Sequence, residues 1–98
     1  MELKKNLSGS ALTVELIGRL DTTTAPQLET MLKESFDGLT ELKLDFKELE
    51  YISSAGLRVL LAAQKTMSKA GRMTIVNVCP EIMDIFEITG FKDILTIE

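Results

Sequence analysis

Hydrophobic and polar residues alternate with a period of two in two stretches of the chain. In residues 12–16 leucine and valine alternate with threonine and glutamate, and residues 42–47 repeat this alternation. Such a pattern is typical of a strand that buries one face. Residues 3–7 precede the first stretch and are separated from it by Ser8-Gly9-Ser10. We therefore expect the chain to open with a β-hairpin.

Hydrophobic residues recur at helical spacing in two other segments. The first segment covers residues 26–36, and its exact start is open. Thr24 and Gln27 have the spacing of a capping box, whereas proline prefers the first helical position itself. The second segment runs over residues 55–70 and is followed by Gly71. Glycine at that place is predicted to form a left-handed C-terminal cap.

The last third of the chain continues the alternation of strands and helices. Residues 73–78 form an apolar run that predicts an interior strand. Cys79-Pro80 then opens a short helix that Gly90 ends, and residues 94–97 are apolar enough for a closing strand. Strands that alternate with helices favour an α/β architecture with parallel crossovers.

Size and charge exclude several functions. A chain of 98 residues forms one domain around a single core, and 45% hydrophobic with 27% charged residues is a globular composition. A net charge of −4, from 11 basic and 15 acidic side chains, argues against nucleic acid as a direct partner. The longest apolar run, residues 59–63, is far shorter than the roughly 20 residues of a membrane span. The first residues carry no secretory signal, so we expect a soluble, cytoplasmic protein that does not enter a membrane.

Residue types needed for self-sufficient catalysis are missing. The chain has no histidine, which removes the commonest general base together with histidine-based nucleophile and metal sites. It also lacks the glycine-rich motifs that surround a bound phosphate. Cys79 is the single cysteine, and we interpret it as a small core or helix-start residue. We therefore expect neither an enzyme nor a bound metal or cofactor.

The segment Ser53-Ser54-Ala55-Gly56 places two hydroxyls at the start of the second predicted helix. Unpaired N–H groups and the helix dipole favour a negative charge there, so a phosphate on one of these serines is physically reasonable. Serine is also among the best N-cap residues, so a plain cap explains the same pattern. Gly56 indicates a close approach to the backbone, by a partner surface or by internal packing. Arg19 and Arg58 could contact an anion, although isolated arginines are more often plain surface residues.

Five fragments of the chain together resemble one known family. They are Gly18-Arg19-Leu20-Asp21, Thr24-Ala25-Pro26, Leu44-Asp45-Phe46, Tyr51-Ile52-Ser53-Ser54-Ala55-Gly56-Leu57 and Asn77-Val78. This combination resembles the STAS domains of bacterial anti-sigma factor antagonists over residues 1–98. The resemblance implies a single α/β domain with a mixed sheet of about four to five strands and about four helices. The family often reads Asp-Ser-Ser-Gly-Leu, and here Ser53 stands in place of the aspartate and Ala55 in place of the second hydroxyl residue.

The resemblance also implies a function in partner switching. In that family a serine at the start of the second helix is phosphorylated by an anti-sigma factor that is also a GHKL-type serine kinase. Alignment on Gly56-Leu57 makes Ser54 the acceptor, with Ser53 as the alternative. The unphosphorylated form binds the kinase and so releases sigma factor, and a PP2C-type phosphatase restores that form. The chain is then a monomer that forms hetero-complexes, and its expected partner-binding residues are Asp21, Thr23, Ser53, Gly56, Leu57 and Arg58.

Two other hypotheses stay open at this point. A STAS-type module that is not phosphorylated, as a subunit of a signalling or lipid-transport assembly, would use Ser53 and Ser54 only to cap the helix. A small enzyme or phosphoryl carrier would act through Cys79 or a carboxylate. The missing histidines and glycine-rich loops disfavour this last hypothesis.

Overall fold

A computed structural model describes residues 1–98 and contains four strands, three α-helices and one short 3-10 helix. The α/β architecture expected from the alternating patterns is confirmed, and the helix number is close to the expected one. The elements in chain order are β1 (Glu2–Ser8), β2 (Ala11–Leu20), α1 (Ala25–Ser35), β3 (Glu41–Ile52), α2 (Ser54–Ala70), β4 (Arg72–Val76), α3 (Pro80–Thr89) and the 3-10 helix (Phe91–Asp93).

The four strands form one mixed sheet in the order β1-β2-β3-β4. β1 pairs antiparallel with β2, which confirms the predicted hairpin, while β2 with β3 and β3 with β4 are parallel. Because each parallel step moves in the same direction across the sheet, right-handed crossovers place α1 and α2 on one face. These two helices contact each other. The other face of the sheet is left without a helical cover.

Alternation along the strands separates the two faces of the sheet. Val14, Leu44 and Phe46 are fully buried under the helices, and their sequence neighbours Glu15 and Asp45 are half-buried on the uncovered face. The helix α3 closes the core through Phe86, whose ring centroid lies 6.4 Å from that of Phe46. All 23 buried hydrophobic residues belong to one contiguous cluster, so the chain folds around one core.

Two of the fragments that carry the family resemblance meet at the end of β4. Asn77 follows β4 with a positive φ of 60°, a left-handed conformation that asparagine tolerates better than most residues. Its Nδ2 donates to Asp45 Oδ1 at 2.9 Å, and the backbone N–H of Lys47 donates to the same oxygen at 2.9 Å. The carboxylate of Asp45 therefore ties the β4–α3 connection to the middle of β3.

The predicted closing strand over residues 94–97 is wrong in extent. The backbone N–H groups of Ile94 and Leu95 donate to the Phe91 carbonyl at 3.0 and 2.8 Å, so this part completes the 3-10 turn. Only the residues after it are extended, and they reach β4 through a single parallel bridge between Ile75 and Ile97. The backbone N–H groups of Ile94 and Leu95 are therefore bonded within the turn and are not available to pair as part of a longer strand.

Gly71 ends α2 but does not form the predicted left-handed cap. Its φ of 168° lies in the extended region that any residue adopts. The reason for glycine is a close backbone approach, because a Cβ at this position would lie 1.8 Å from the carbonyl oxygen of Thr40. The same carbonyl accepts a hydrogen bond from Arg72 N at 3.1 Å, which joins the first residue of β4 to the residue before β3.

We expect Gly71→Ala to lower the free energy of unfolding by about 3 kcal/mol or more, because the new methyl group meets rigid backbone. Gly38→Ala is the matched control, since its φ is +82° and a Cβ there meets nothing within 4 Å. That variant should cost only about 1–2 kcal/mol, the usual cost of a left-handed alanine. Urea unfolding of both variants measures the difference, and equal costs would contradict the close approach.

Candidate docking site at the start of the second helix

The carboxyl ends of β2 and β3 lie side by side because the two strands are parallel. Leu20, the last residue of β2, is the register partner of Ile52, the last residue of β3. One residue further on, the backbone N–H of Ser53 donates to the Leu20 carbonyl at 2.9 Å. The loop that follows β2 and the first turn of α2 therefore share one edge of the sheet.

The two candidate serines differ in accessibility. Ser54 is the first residue of α2 and is exposed. Ser53 occupies the N-cap position with an extended backbone, but its Oγ is buried and has no hydrogen-bond partner. No side-chain hydrogen bond caps α2. The N–H groups of the first helical turn therefore remain free of side-chain acceptors, and a plain serine cap does not describe this site.

Gly56 and Leu57 lie inside the protein rather than on the expected docking surface. Leu57 is only 6% exposed and belongs to the core. A Cβ on Gly56 would lie 2.7 Å from Leu20 Cγ and 2.9 Å from Ile52 Cγ1. Of the two explanations for this glycine, internal packing is the one that the structure supports. Both residues thus set the position of the first turn of α2. Arg58, by contrast, is exposed and takes part in no salt bridge.

The loop after β2 is built around the side chain of Asp21. Its Oδ1 accepts hydrogen bonds from Thr23 Oγ1 at 2.7 Å, from Thr23 N at 3.0 Å and from Thr24 N at 3.2 Å. The Thr23 hydroxyl is the largest of the contacts that hold the pKa of Asp21 below its ordinary value, and partial desolvation opposes it. Asp21 therefore presents a fixed carboxylate beside the start of α2.

Arg19 and Tyr51 form a contact that sequence reasoning missed. Arg19 Cζ lies 4.4 Å from the centroid of the Tyr51 ring, and Arg19 Nε lies 3.8 Å from Asp21 Oδ2. The two residues are register partners next to a bulge between Gly18 and Arg19. Their places near the ends of adjacent parallel strands could have indicated the contact, but the bulge that aligns them cannot be derived from the periodicity.

Three further observations concern possible metal ligands, the cysteine and the lengths of the helices. No group of three or more histidine, cysteine, aspartate or glutamate side chains comes together as a metal site. Cys79 is half-buried at the N-cap position of α3. None of the helices is both long enough and apolar enough to cross a membrane.

This sheet order, with both crossover helices on one face, is the fold of STAS domains. The STAS domain family model matches residues 2–98, and the chain belongs to this family. One relative is BtrV of Bordetella bronchiseptica, whose name assigns it provisionally to the anti-sigma factor antagonists. It is 34% identical over an aligned length of 99 residues, and the alignment covers 99% of this chain and 85% of BtrV. The anti-sigma-B factor antagonist of Bacillus subtilis is 31% identical over 85 residues, covering 86% of this chain and 78% of that protein.

Solved structures agree with this fold. The Bacillus anti-sigma factor antagonist SpoIIAA is similar both in its unphosphorylated form, with a TM-score of 0.78 at 17% identity, and in its phosphorylated form, with a TM-score of 0.78 at 18% identity. The matches cover 99% of this chain and 87% and 91% of the two SpoIIAA chains. At these identities the likeness establishes the fold alone.

We expect Thr23→Val to raise the pKa of Asp21 towards its ordinary value, because the variant removes the hydroxyl that stabilises the carboxylate. A carboxyl with a lowered pKa stabilises the folded protein above the pKa of its unfolded state and loses this contribution as the pH falls through the folded-state pKa. The stability deficit of Thr23→Val should therefore shrink in that acidic range.

Carboxyl carbon NMR titration of Asp21 measures the shift, and denaturant unfolding at several pH values measures the deficit. Thr22→Val is the control, because Thr22 is exposed and makes no hydrogen bond to Asp21. An Asp21 pKa that is the same in both variants would show that the Thr23 hydroxyl is not its cause.

Proposed function

We propose that the chain is an anti-sigma factor antagonist whose partner binding is switched by phosphorylation of Ser54. In its unphosphorylated form it binds an anti-sigma factor that is also a GHKL-type serine kinase, and sigma factor is released. The observation that carries this proposal is the exposed Ser54 at the start of α2, beside the Asp21 loop, with Ser53 Oγ buried one residue earlier. Relatives with matching sequences are named anti-sigma factor antagonists.

Accessibility favours Ser54 over Ser53 as the acceptor. In the transfer, the acceptor oxygen attacks the γ-phosphorus of ATP, the bond to the ADP oxygen breaks, and the hydroxyl proton passes to a base. The attacking oxygen must enter the kinase active site in line with the leaving group. Ser54 is exposed and can do so, whereas the buried Oγ of Ser53 would first have to be uncovered. We assign the base and the metal-bound nucleotide to the partner, since the chain has no histidine and no phosphate loop.

The switch acts through charge and bulk on the docking surface. A phosphate adds about −1.5 to −2 charges and three strong acceptor oxygens. The free N–H groups of the first turn of α2 stabilise such an anion within the protein. The phosphate adds its charge at the edge of the sheet that also carries the Asp21 loop, so the surface becomes more negative and loses affinity for an acidic or apolar partner group that docks there. Removal of the phosphate, which we assign to a PP2C-type phosphatase, restores binding.

The proposed docking surface consists of residues from the β2–α1 loop and from the first turn of α2. Asp21 and Thr23 present the loop, Ser54 and Arg58 are exposed on α2, and Ser53 joins the two. Gly56 and Leu57 contribute by packing from below, because both are buried. Partner switching of sigma factor implies a cytoplasmic protein that acts as a monomer in hetero-complexes.

We expect Ser54→Asp to weaken binding to the anti-sigma kinase by at least about tenfold, because it places a permanent charge on the docking surface. Ser54→Ala should bind like the wild type but accept no phosphate. A tagged pull-down from the native cells, with phosphosite mapping by mass spectrometry, compares these variants. Ser68→Asp adds the same charge at an exposed serine near the other end of α2 and should leave binding unchanged.

Two outcomes would contradict the proposal. The first is full-strength kinase binding by Ser54→Asp. The second is phosphate on Ser53 of the wild type with Ser54 unmodified. Stable co-purification with an assembly that contains no kinase, regardless of all these substitutions, would instead identify a STAS module that is not phosphorylated.

A further inference from the structure

Arg19 and Tyr51 form a pre-organised pair beside the docking surface. They are cross-strand neighbours near the ends of β2 and β3, and the residues after them, Leu20 and Ile52, point into the core. Their side chains therefore lie on the face of the sheet that no helix covers. The Arg19 side chain is 60% exposed and Tyr51 is 38% exposed, although the guanidinium lies 4.4 Å from the ring centroid.

The guanidinium of Arg19 keeps its hydrogen-bond donors free. Its nearest acid is Asp21, whose Oδ2 lies 3.8 Å from Nε, beyond hydrogen-bond distance. The other oxygen, Oδ1, is occupied by the threonine donors of the loop. The cation–π contact with Tyr51 uses no N–H donor, and the guanidinium of Arg19 makes no side-chain hydrogen bond, so its planar edge is open. That edge matches the two oxygens of a carboxylate.

We infer that Arg19, held against the ring of Tyr51, is a carboxylate-binding contact at the edge of the docking surface, and that the partner presents an aspartate or glutamate to it. This inference rests on the proposed function. Arginine and tyrosine are, with tryptophan, the residue types that most often dominate protein interfaces, and a side chain that already rests against a ring loses less entropy on binding than a free one. The chain as a whole carries a net charge of −4, so an exposed guanidinium with open donors is a local exception that an acidic partner group can use.

Arg19 and Asp21 together make the surface selective. Their opposite charges lie 3.8 Å apart and are both partly exposed. A partner that places its acid on Arg19 must keep a second acid away from Asp21, because like charges at close range repel each other and weaken an interface. A partner surface that fits therefore has an acidic group facing Arg19 and a neutral or basic group facing Asp21.

Calorimetric affinity for the purified cognate anti-sigma kinase tests the inference on the unphosphorylated protein. Arg19→Lys keeps the charge but loses the planar edge, and we expect about tenfold weaker binding. Arg72→Lys is the matched control. Arg72 is 59% exposed, lies at the start of β4, at the opposite end of the parallel strands from Arg19, and pairs with Glu98. It should bind within about twofold of the wild type. Tyr51→Phe should also retain binding, whereas Tyr51→Ala should lose several-fold, since the ring and not the hydroxyl holds Arg19.

Each result separates this inference from the proposed function. If Ser54→Asp loses the kinase but Arg19→Lys binds as tightly as Arg72→Lys, the inference is overturned and the proposed function stands. If Arg19→Lys weakens binding only in the phosphorylated protein, the guanidinium contacts the phosphate rather than a partner carboxylate, and the inference is again overturned. A wild type that binds no such kinase would overturn both. Thermal melting of each variant, which should show a folded protein at the temperature of the binding measurement, excludes unfolding as the cause of a loss.

Discussion

The parallel pairing of Leu20 with Ile52 is the constraint on which the site depends. Both side chains are buried, at 0% and 2% exposure, and the Ser53 N–H binds the Leu20 carbonyl directly beyond the pair. Gly56 then packs on these same two side chains at distances that exclude a Cβ. Any shift between β2 and β3 would expose apolar surface and break this contact, so the Asp21 loop and the start of α2 are held in one relative position.

A site fixed in this way suits a switch that changes charge rather than shape. The carboxylate of Asp21 is already satisfied by the threonine donors of its own loop, and the N-terminus of α2 has no side-chain cap. The negative charge of Asp21 and the positive end of the α2 helix dipole are therefore both present before any modification. A phosphate on Ser54 can be held by the helix N-terminus without movement of the core, while the surface that a partner meets becomes more negative. In the proposed function the fold holds the acceptor serine in position, and the partners catalyse the transfer and removal of the phosphate.

Local patterns in the sequence predict the hairpin and the two crossover helices, and they place two serines at the start of the second helix, because each of these features depends on residues close in the chain. Features that depend on distant residues were predicted wrongly or were missed. Gly71 is needed because of the Thr40 carbonyl, which lies about thirty residues earlier, and no cap motif contains that information. The Arg19–Tyr51 contact depends on a bulge that changes the strand register.

The central claim is that one phosphate on Ser54 decides whether the partner binds. The most direct measurement is the affinity of the same purified protein for its anti-sigma kinase before and after stoichiometric phosphorylation, with the site of the phosphate confirmed by mass spectrometry. The account predicts a phosphate on Ser54 and a loss of affinity of about tenfold or more. Equal affinities of the two forms, or a phosphate found on Ser53, would contradict it.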